Sequence, residues 1–345
     1  MVINLSLPNT FINHLENKKD SKEIIAMEYS VAIRTLGKAG AKYQTLLDSL
    51  MNQTIKPSEI IVYIAEGYTI PKETIGLERY VYVKKGMVSQ RALQYTEIKT
   101  EYILFLDDDV YLPPDGVEKL FLAKNKMNAN VVSPDVFPNS ERSCLGKLIM
   151  ALSGRMFPRR DDKEWAYKVM RNAGYSYNNS PSQDIYFSQT NAGPCFLCSK
   201  ADFIKIRFQE ELWLEKCPYP LGEDQVMYYK MFCLGLKQLT VFNSGITHLD
   251  AGTTLMSEDR EKSLIYSDLY FKTIFWHRFI YLPERCKLLK IWDCLCIICT
   301  IIIMLIISLL KGRINIVRVK YSAIKDGISF LLSNEYKKLP KISKI

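Results

Sequence analysis

Tyr102-Ile-Leu-Phe-Leu-Asp-Asp-Asp-Val-Tyr-Leu112 is an apolar strand that delivers three adjacent carboxylates at its carboxyl end. Three neighbouring negative charges repel one another unless a cation or a hydrogen-bond network neutralises them, and in open α/β sheets ligands bind at the carboxyl ends of strands. A hard divalent metal carrying a phosphate ester is the guest such a cluster suits. If the chain stays extended, Asp107 and Asp109 project to one side and Asp108 to the other, dividing metal ligation from a contact to sugar or ribose.

Working outward, Tyr29 to Thr35 is β-rich and leads through Gly37 and Gly40 to a helix with Tyr43, Leu46, Leu47, Leu50 and Met51 at helical spacing. Glu59 to Ala65 is a second apolar strand ending in Glu66-Gly67, and Arg79 to Val83 a third, followed by a helix expected from about Met87 to Lys99. The aspartate-bearing strand comes fourth, Pro113-Pro114 opens the next helix, and Asn130 to Pro134 adds a short strand. This alternation predicts an α/β fold: a mostly parallel sheet with helices on both faces.

These elements carry a resemblance. A first strand ending in Thr35, a second ending in an acidic residue, a helix carrying Ser89-Gln-Arg91-Ala and a strand ending Leu-Asp-Asp-Asp resemble the nucleotide-sugar-binding half of a family 2 glycosyltransferase of the GT-A (Rossmann-like) fold. The likeness runs from Tyr29 to His248. It implies that the triplet acts as a DxD motif holding magnesium or manganese on the donor diphosphate, with Asp109, Asp107 and His248 as metal ligands. Thr35, Glu66, Arg91, Asp107 and Asp108 would then contact the donor. Three positions depart from the usual pattern: Arg34 stands where Pro is common, Glu66 where an Asp usually meets the base, and Ala92 where Asn often follows the Arg. The remodelled base contact leaves the nucleotide unspecified.

The second half supplies an acceptor side. Asn191-Ala-Gly-Pro-Cys-Phe-Leu-Cys-Ser-Lys200 looks like the family's glycine-containing strand before the acceptor helix, where glycine allows close backbone approach to a ligand. In Tyr219-Pro-Leu-Gly-Glu-Asp-Gln, Glu223 and Asp224 open a helix, and a helix N-terminus keeps a carboxylate anionic, as a general base must be. The resemblance implies a base here, Asp224 with Glu223 as the alternative, and a single inverting displacement. No Gln-x-x-Arg-Trp motif of processive polymerases follows, so one sugar per encounter is expected. Between Arg142 and Ser188 the chain is aromatic and basic (Arg155, Arg159, Arg160, Trp165, Tyr167, Tyr175, Tyr177, Tyr186, Phe187), a mixture suited to a sugar or lipid-diphosphate acceptor.

The net charge is +9 over 345 residues, and it is concentrated. Nine Lys or Arg against Asp326 and Glu335 fall between Lys311 and Ile345, beside an uncharged apolar run from Cys294 to Leu310. That placement points to anionic membrane lipids and away from nucleic acid. Basic residues flank both ends of the run, so a single crossing would export the basic tail against the positive-inside tendency, and an in-plane or re-entrant attachment is favoured over a single-helix anchor. Nine scattered cysteines, and no basic start followed by an apolar stretch near Met1, place the globular part in a reducing cytoplasm at the membrane face. The CxxC pairs Cys195/Cys198 and Cys296/Cys299 lie in apolar settings unsuited to zinc.

The expected organisation is a polar leader (1–27), a donor half (28–135), an acceptor half with the base (136–255) and a membrane-associated helical region with a basic tail (256–345). The expected activity joins a nucleoside-diphosphate sugar to a glycan or lipid-linked glycan acceptor in bacterial surface polysaccharide synthesis. Two other classes are a haloacid-dehalogenase-like phosphatase, whose Asp-x-Asp normally opens the fold, and a non-catalytic membrane-bound sugar-nucleotide-binding scaffold.

Overall fold

A computed structural model describes residues 28–136, 164–178, 180–219, 221–249 and 257–342. The expected leader, Arg142, Arg155, Arg159 and Arg160 lie outside the described residues.

One mixed sheet organises the chain. Its strands are β1 (Tyr29–Thr35), β2 (Glu59–Ala65), β3 (Glu78–Val83), β4 (Tyr102–Asp107), β6 (Val131–Pro134), β7 (Trp165–Val169), β8 (Tyr175–Tyr177), β9 (Ile185–Ser188), β10 (Cys195–Ser199) and β11 (Gln238–Val241), in the order 3-2-1-4-10-6-11-9-7-8. The half containing β3, β2, β1 and β4 is parallel throughout. Strand β10 then enters antiparallel between β4 and β6. A separate two-stranded ribbon pairs β5 (Val110–Tyr111) with β12 (Thr247–His248).

Side chains alternate across each strand, so the sheet has two cores. Val31, Ile33, Val62, Leu104 and Leu106 pack under α1 (Ala41–Met51) and α2 (Gly116–Met127) on one face. Ala32, Ile61, Phe105, Phe196 and Cys198 face α4 (Glu223–Cys233) and the C-terminal helices on the other. A short helix α3 (Lys200–Lys205) and a 3₁₀ segment (Phe208–Lys216) link β10 to α4.

The C-terminal region shares the second core. Helix α5 (Glu258–Phe275) continues into a π-helical turn (Trp276–Tyr281), then come α6 (Lys287–Leu310), α7 (Ile314–Leu332) and α8 (Asn334–Lys338). Phe271, Phe275, Phe279, Phe330 and Tyr336 join the cluster that holds Phe105 and Phe196. Among the described residues, α6 is the one helix long and apolar enough to cross a membrane, and it starts seven residues before the uncharged run.

Three expectations change. The helix expected over Met87 to Lys99 is a series of turns, because Tyr95 adopts φ 51° and the Glu215 carboxylate takes the Ser89 amide (2.6 Å) and hydroxyl. The polar stretch before Ser188 is partly strand, and Tyr167 and Tyr186 are 3% and 2% exposed, so both are core and neither offers a free stacking face. Tyr175 is 43% exposed, with its ring against that of Tyr167. The extended run through the aspartates stops at Asp107, and Asp108 and Asp109 form a turn, so strand alternation does not set their directions.

Candidate active site

The site lies where β1, β4 and β10 bring their ends to the start of α4. In parallel register Arg34 on β1 sits beside Asp107 on β4. Its guanidinium bonds both Asp107 oxygens, with Nη2 donating to Oδ2 at 3.0 Å, and Nη1 donates to Glu223 at 2.9 Å. Arg91 approaches from the turns after β3: Nη2 lies 3.5 Å from Asp107 Oδ1 and 3.7 Å from Glu223 Oε1, while Nη1 lies 3.3 Å from Asp224 Oδ1. Two guanidiniums therefore tie together Asp107, Glu223 and Asp224.

Glycine makes that approach possible. Arg91 donates to the Gly193 carbonyl at 2.7 Å, the Asp107 amide to the Pro194 carbonyl at 2.9 Å, and Tyr228 on α4 to the Ala192 carbonyl at 3.1 Å. A Cβ on Gly193 would stand 1.9 Å from Asp224 Oδ1 and 2.7 Å from Arg91 Nη1. The close neighbour of this glycine is the acid–base cluster, where the sequence had suggested a ligand. At the head of α4, Gly222 adopts φ +85° with its Cβ position 2.6 Å from the Phe271 ring, so the C-terminal helices fix where Glu223 and Asp224 begin.

The two helix-opening acids differ sharply. The Glu223 side chain is 4% exposed and clamped by both arginines. The Asp224 side chain is 37% exposed although its Oδ1 is buried without a hydrogen bond, so its open surface lies on other atoms of the side chain. Burial and then the Glu223 charge push Asp224 up to about 7, against the pull of Arg91 and Arg34. Asp107 is half-buried; loss of water raises its carboxyl, but Arg34 and then Arg91 outweigh that and hold it below the usual range.

Asp108 and Asp109 point elsewhere. Thr35 donates its hydroxyl to Asp108, which burial and then the charges of Asp107 and Asp109 push up to about 6. The β5–β12 ribbon sets His248 opposite Val110, bringing His248 Nε2 to 3.0 Å from Asp109. Of the ligands expected for a metal, Asp109 and His248 are together and Asp107 is turned to the guanidiniums. Glu66 is exposed at the end of β2, two strands and roughly 10 Å from β4 at the usual strand spacing.

Among the described residues, no group of three or more His, Cys, Asp or Glu is gathered for a metal. The donor set still fits one. Hard divalent ions are commonly held by one or two protein carboxylates with phosphate oxygens and water completing the shell; Asp109 supplies such a carboxylate, and His248 stands 3.0 Å from it as a second ligand or as the group that orients it. The charge balance agrees: Asp107, Glu223 and Asp224 share the guanidiniums of Arg34 and Arg91, Asp108 is held by the Thr35 hydroxyl and Asp109 by His248, and two of the five carboxyls are pushed toward protonation. A cation relieves that repulsion.

Arg34 is the member of this cluster that the sequence reading did not place in the site. It was visible as a charge near the end of a buried strand, and parallel pairing of β1 with β4 would have placed it beside an aspartate. Gln90, whose side-chain amide donates to the Thr35 carbonyl at 3.3 Å, carried no comparable signal.

No protein-family model and no curated protein matches the sequence. Among solved structures the chain is similar to the crystal structure of GalNAc-T7 with UDP, GalNAc and Mn2+ (TM-score 0.45, 15% identity, covering 78% of this chain and 55% of that one). It is also similar to the crystal structure of S. aureus TarS (TM-score 0.44, 13% identity, covering 79% and 43%). The chain thus spans about half the length of each.

Proposed function

We propose that the chain is a metal-dependent, inverting glycosyltransferase of the GT-A type that moves a sugar from a nucleoside-diphosphate donor to a glycan or lipid-linked glycan acceptor. The observation that carries this reading is Arg91, whose single guanidinium touches both Asp107, at the carboxylate turn, and Asp224, the open carboxylate at the head of α4. A leaving-group site and a base are thereby held in one rigid cluster. Bound to Asp109 and His248, a divalent cation would supply charge stabilisation to the departing diphosphate.

The chain's own residues supply the rest. Asp224 accepts the proton of the acceptor hydroxyl, whose oxygen bonds to the anomeric carbon. The bond from that carbon to the diphosphate oxygen breaks on the opposite face, its electron pair leaving with the diphosphate, and the configuration inverts. A carboxyl poised near 7 suits a base working at neutral pH. Glu223, buried and paired, fixes the guanidiniums. Thr35 and Asp108 line the donor side of the turn.

A phosphatase built on Asp107 as nucleophile fits poorly, since both its oxygens already accept from Arg34. Synthesis of a bacterial surface polysaccharide at the cytoplasmic membrane face is the setting that accords with the resemblance and with the basic, apolar C-terminal region.

Calorimetric titration with UDP-, GDP- and dTDP-sugars tests the reading. Binding of one donor class should require manganese and weaken by about tenfold or more in Asp109→Ala and His248→Ala, in line with the loss of a metal ligand or its partner. Donor binding that is indifferent to manganese and to both substitutions would overturn it.

A further inference from the structure

Helix α6 has two faces of opposite character. One is pinned to the rest of the protein along its length. Asp293, fully buried, accepts from Arg171 at 2.7 Å, and its backbone carbonyl accepts from Trp276 at 3.2 Å. One turn and more further on, Thr300 accepts from Asn172 at 2.9 Å. Near the far end, Lys320 on α7 donates to the Met304 carbonyl and to Ser308, both at 2.8 Å. From Asp293 to Ser308 these anchors span roughly 22 Å at the helical rise. A bilayer surrounding the helix would have to strip every one of them into hydrocarbon, where unsatisfied polar groups are strongly disfavoured.

The other face is apolar and open. Leu288, Trp292, Leu295, Ile298, Ile302 and Ile306 recur at three- and four-residue intervals and are 47–76% exposed. So long a continuous apolar stripe on a soluble surface marks an interaction site. Exposed Lys287 and Lys311 close its two ends, and on α7 the outward positions Arg318, Tyr321, Lys325 and Ile328 mix basic with apolar groups.

We propose that α6 lies in the plane of an anionic membrane, its stripe seated at the headgroup–acyl boundary and its basic ends on lipid phosphates, with the catalytic domain resting on its pinned face. Charge selects this occupant. In a two-fold dimer the stripe would meet itself, setting Lys287 and Lys311 of one copy against the same cations of the other. Anionic headgroups complement those ends, and tryptophan on an apolar face suits the interface. The inference does not depend on what the active site transfers.

Flotation of the full chain with sealed vesicles tests it. Vesicles containing phosphatidylglycerol should bind about tenfold or more tightly than phosphatidylcholine alone, as expected for several basic side chains at a charged surface. The double variant Ile298→Asp/Ile302→Asp should lose binding by about tenfold or more while keeping the wild-type thermal midpoint, since both side chains already face solvent. Trypsin added outside should cut the bound protein at Lys337 or Lys338. Any of three results would overturn the proposal: no vesicle binding together with a dimer that the double variant dissociates, vesicle binding that the double variant leaves unchanged, or a C-terminal tail protected from trypsin as in a crossing helix.

Discussion

Glu223 and Asp224 are adjacent in sequence and meet opposite fates. Glu223 is buried between Arg34 and Arg91, whereas Asp224 keeps an open surface. Glu223→Ala should therefore act on stability, lowering the thermal midpoint by the equivalent of about 3 kcal/mol because it removes the buried carboxylate that Arg34 and Arg91 share, leaving them Asp107 and Asp224. Asp224→Asn should instead leave donor binding intact and cut kcat by roughly 10²- to 10⁴-fold, the usual worth of a general base. As the proposed base Asp224 works only when ionised, so kcat/KM should climb as pH rises through about 7, and Arg91→Gln, which removes a charge favouring the anion, should move that limb to higher pH. The stability linkage has the opposite sense. A raised carboxyl contributes stability below its unfolded value and loses it as pH rises through about 7, a dependence that Asp224→Asn should erase. At this scale the sequence showed which acids open α4, but only the ion pairs around Arg34 and Arg91 separate their roles.

Between elements, the site depends on close approach. The Gly193 turn lies against both Asp224 and Arg91, so Gly193→Ala should keep the fold and lower transfer by about 10²-fold through misplacement of the base by an ångström or so. Behind α4, Glu211 is fully buried and accepts from Lys230 (2.9 Å), Arg278 (2.8 Å) and Trp213 (2.7 Å), joining the 3₁₀ segment, α4 and the π-helical turn. Burial raises its carboxyl, yet Lys230 and Arg278 outweigh that and hold it below the usual range. Such a group stabilises above its unfolded pKa and loses that contribution as pH falls through its folded value. The thermal midpoint should consequently drop on acidification, and Glu211→Gln should lower it at neutral pH and flatten the acid limb. Parallel β1, β2, β3 and β4 were legible from their apolar runs and spacing. The turns over Met87 to Lys99 were not, because a distant carboxylate, Glu215, and the backbone of Tyr95 override local helical preference.

Across the whole molecule, the sheet separates two cores and leaves the carboxylate cluster at the strand ends. The C-terminal helices belong to one of those cores: Phe271 abuts Gly222, which leads into Glu223 and Asp224, and α6 is fastened beside β7 through Arg171 and Asn172. That integration was hidden in the sequence, where an apolar run and a basic tail read as an appendage. The entry of β10 between β4 and β6 was hidden as well, since antiparallel pairing of segments about ninety residues apart leaves no local signature. What the sequence did show was the acidic turn, and the excess negative charge around it is the property on which the proposed metal-dependent transfer rests. Release of nucleoside diphosphate from UDP-, GDP- and dTDP-sugars by purified full-length protein, with manganese or EDTA and with a glycan acceptor, tests this most directly. Turnover of one donor class that EDTA and Asp109→Ala each abolish is the expected result. Turnover that persists undiminished in EDTA, or a wild-type protein that neither binds nor cleaves any nucleotide sugar with manganese present, would contradict it.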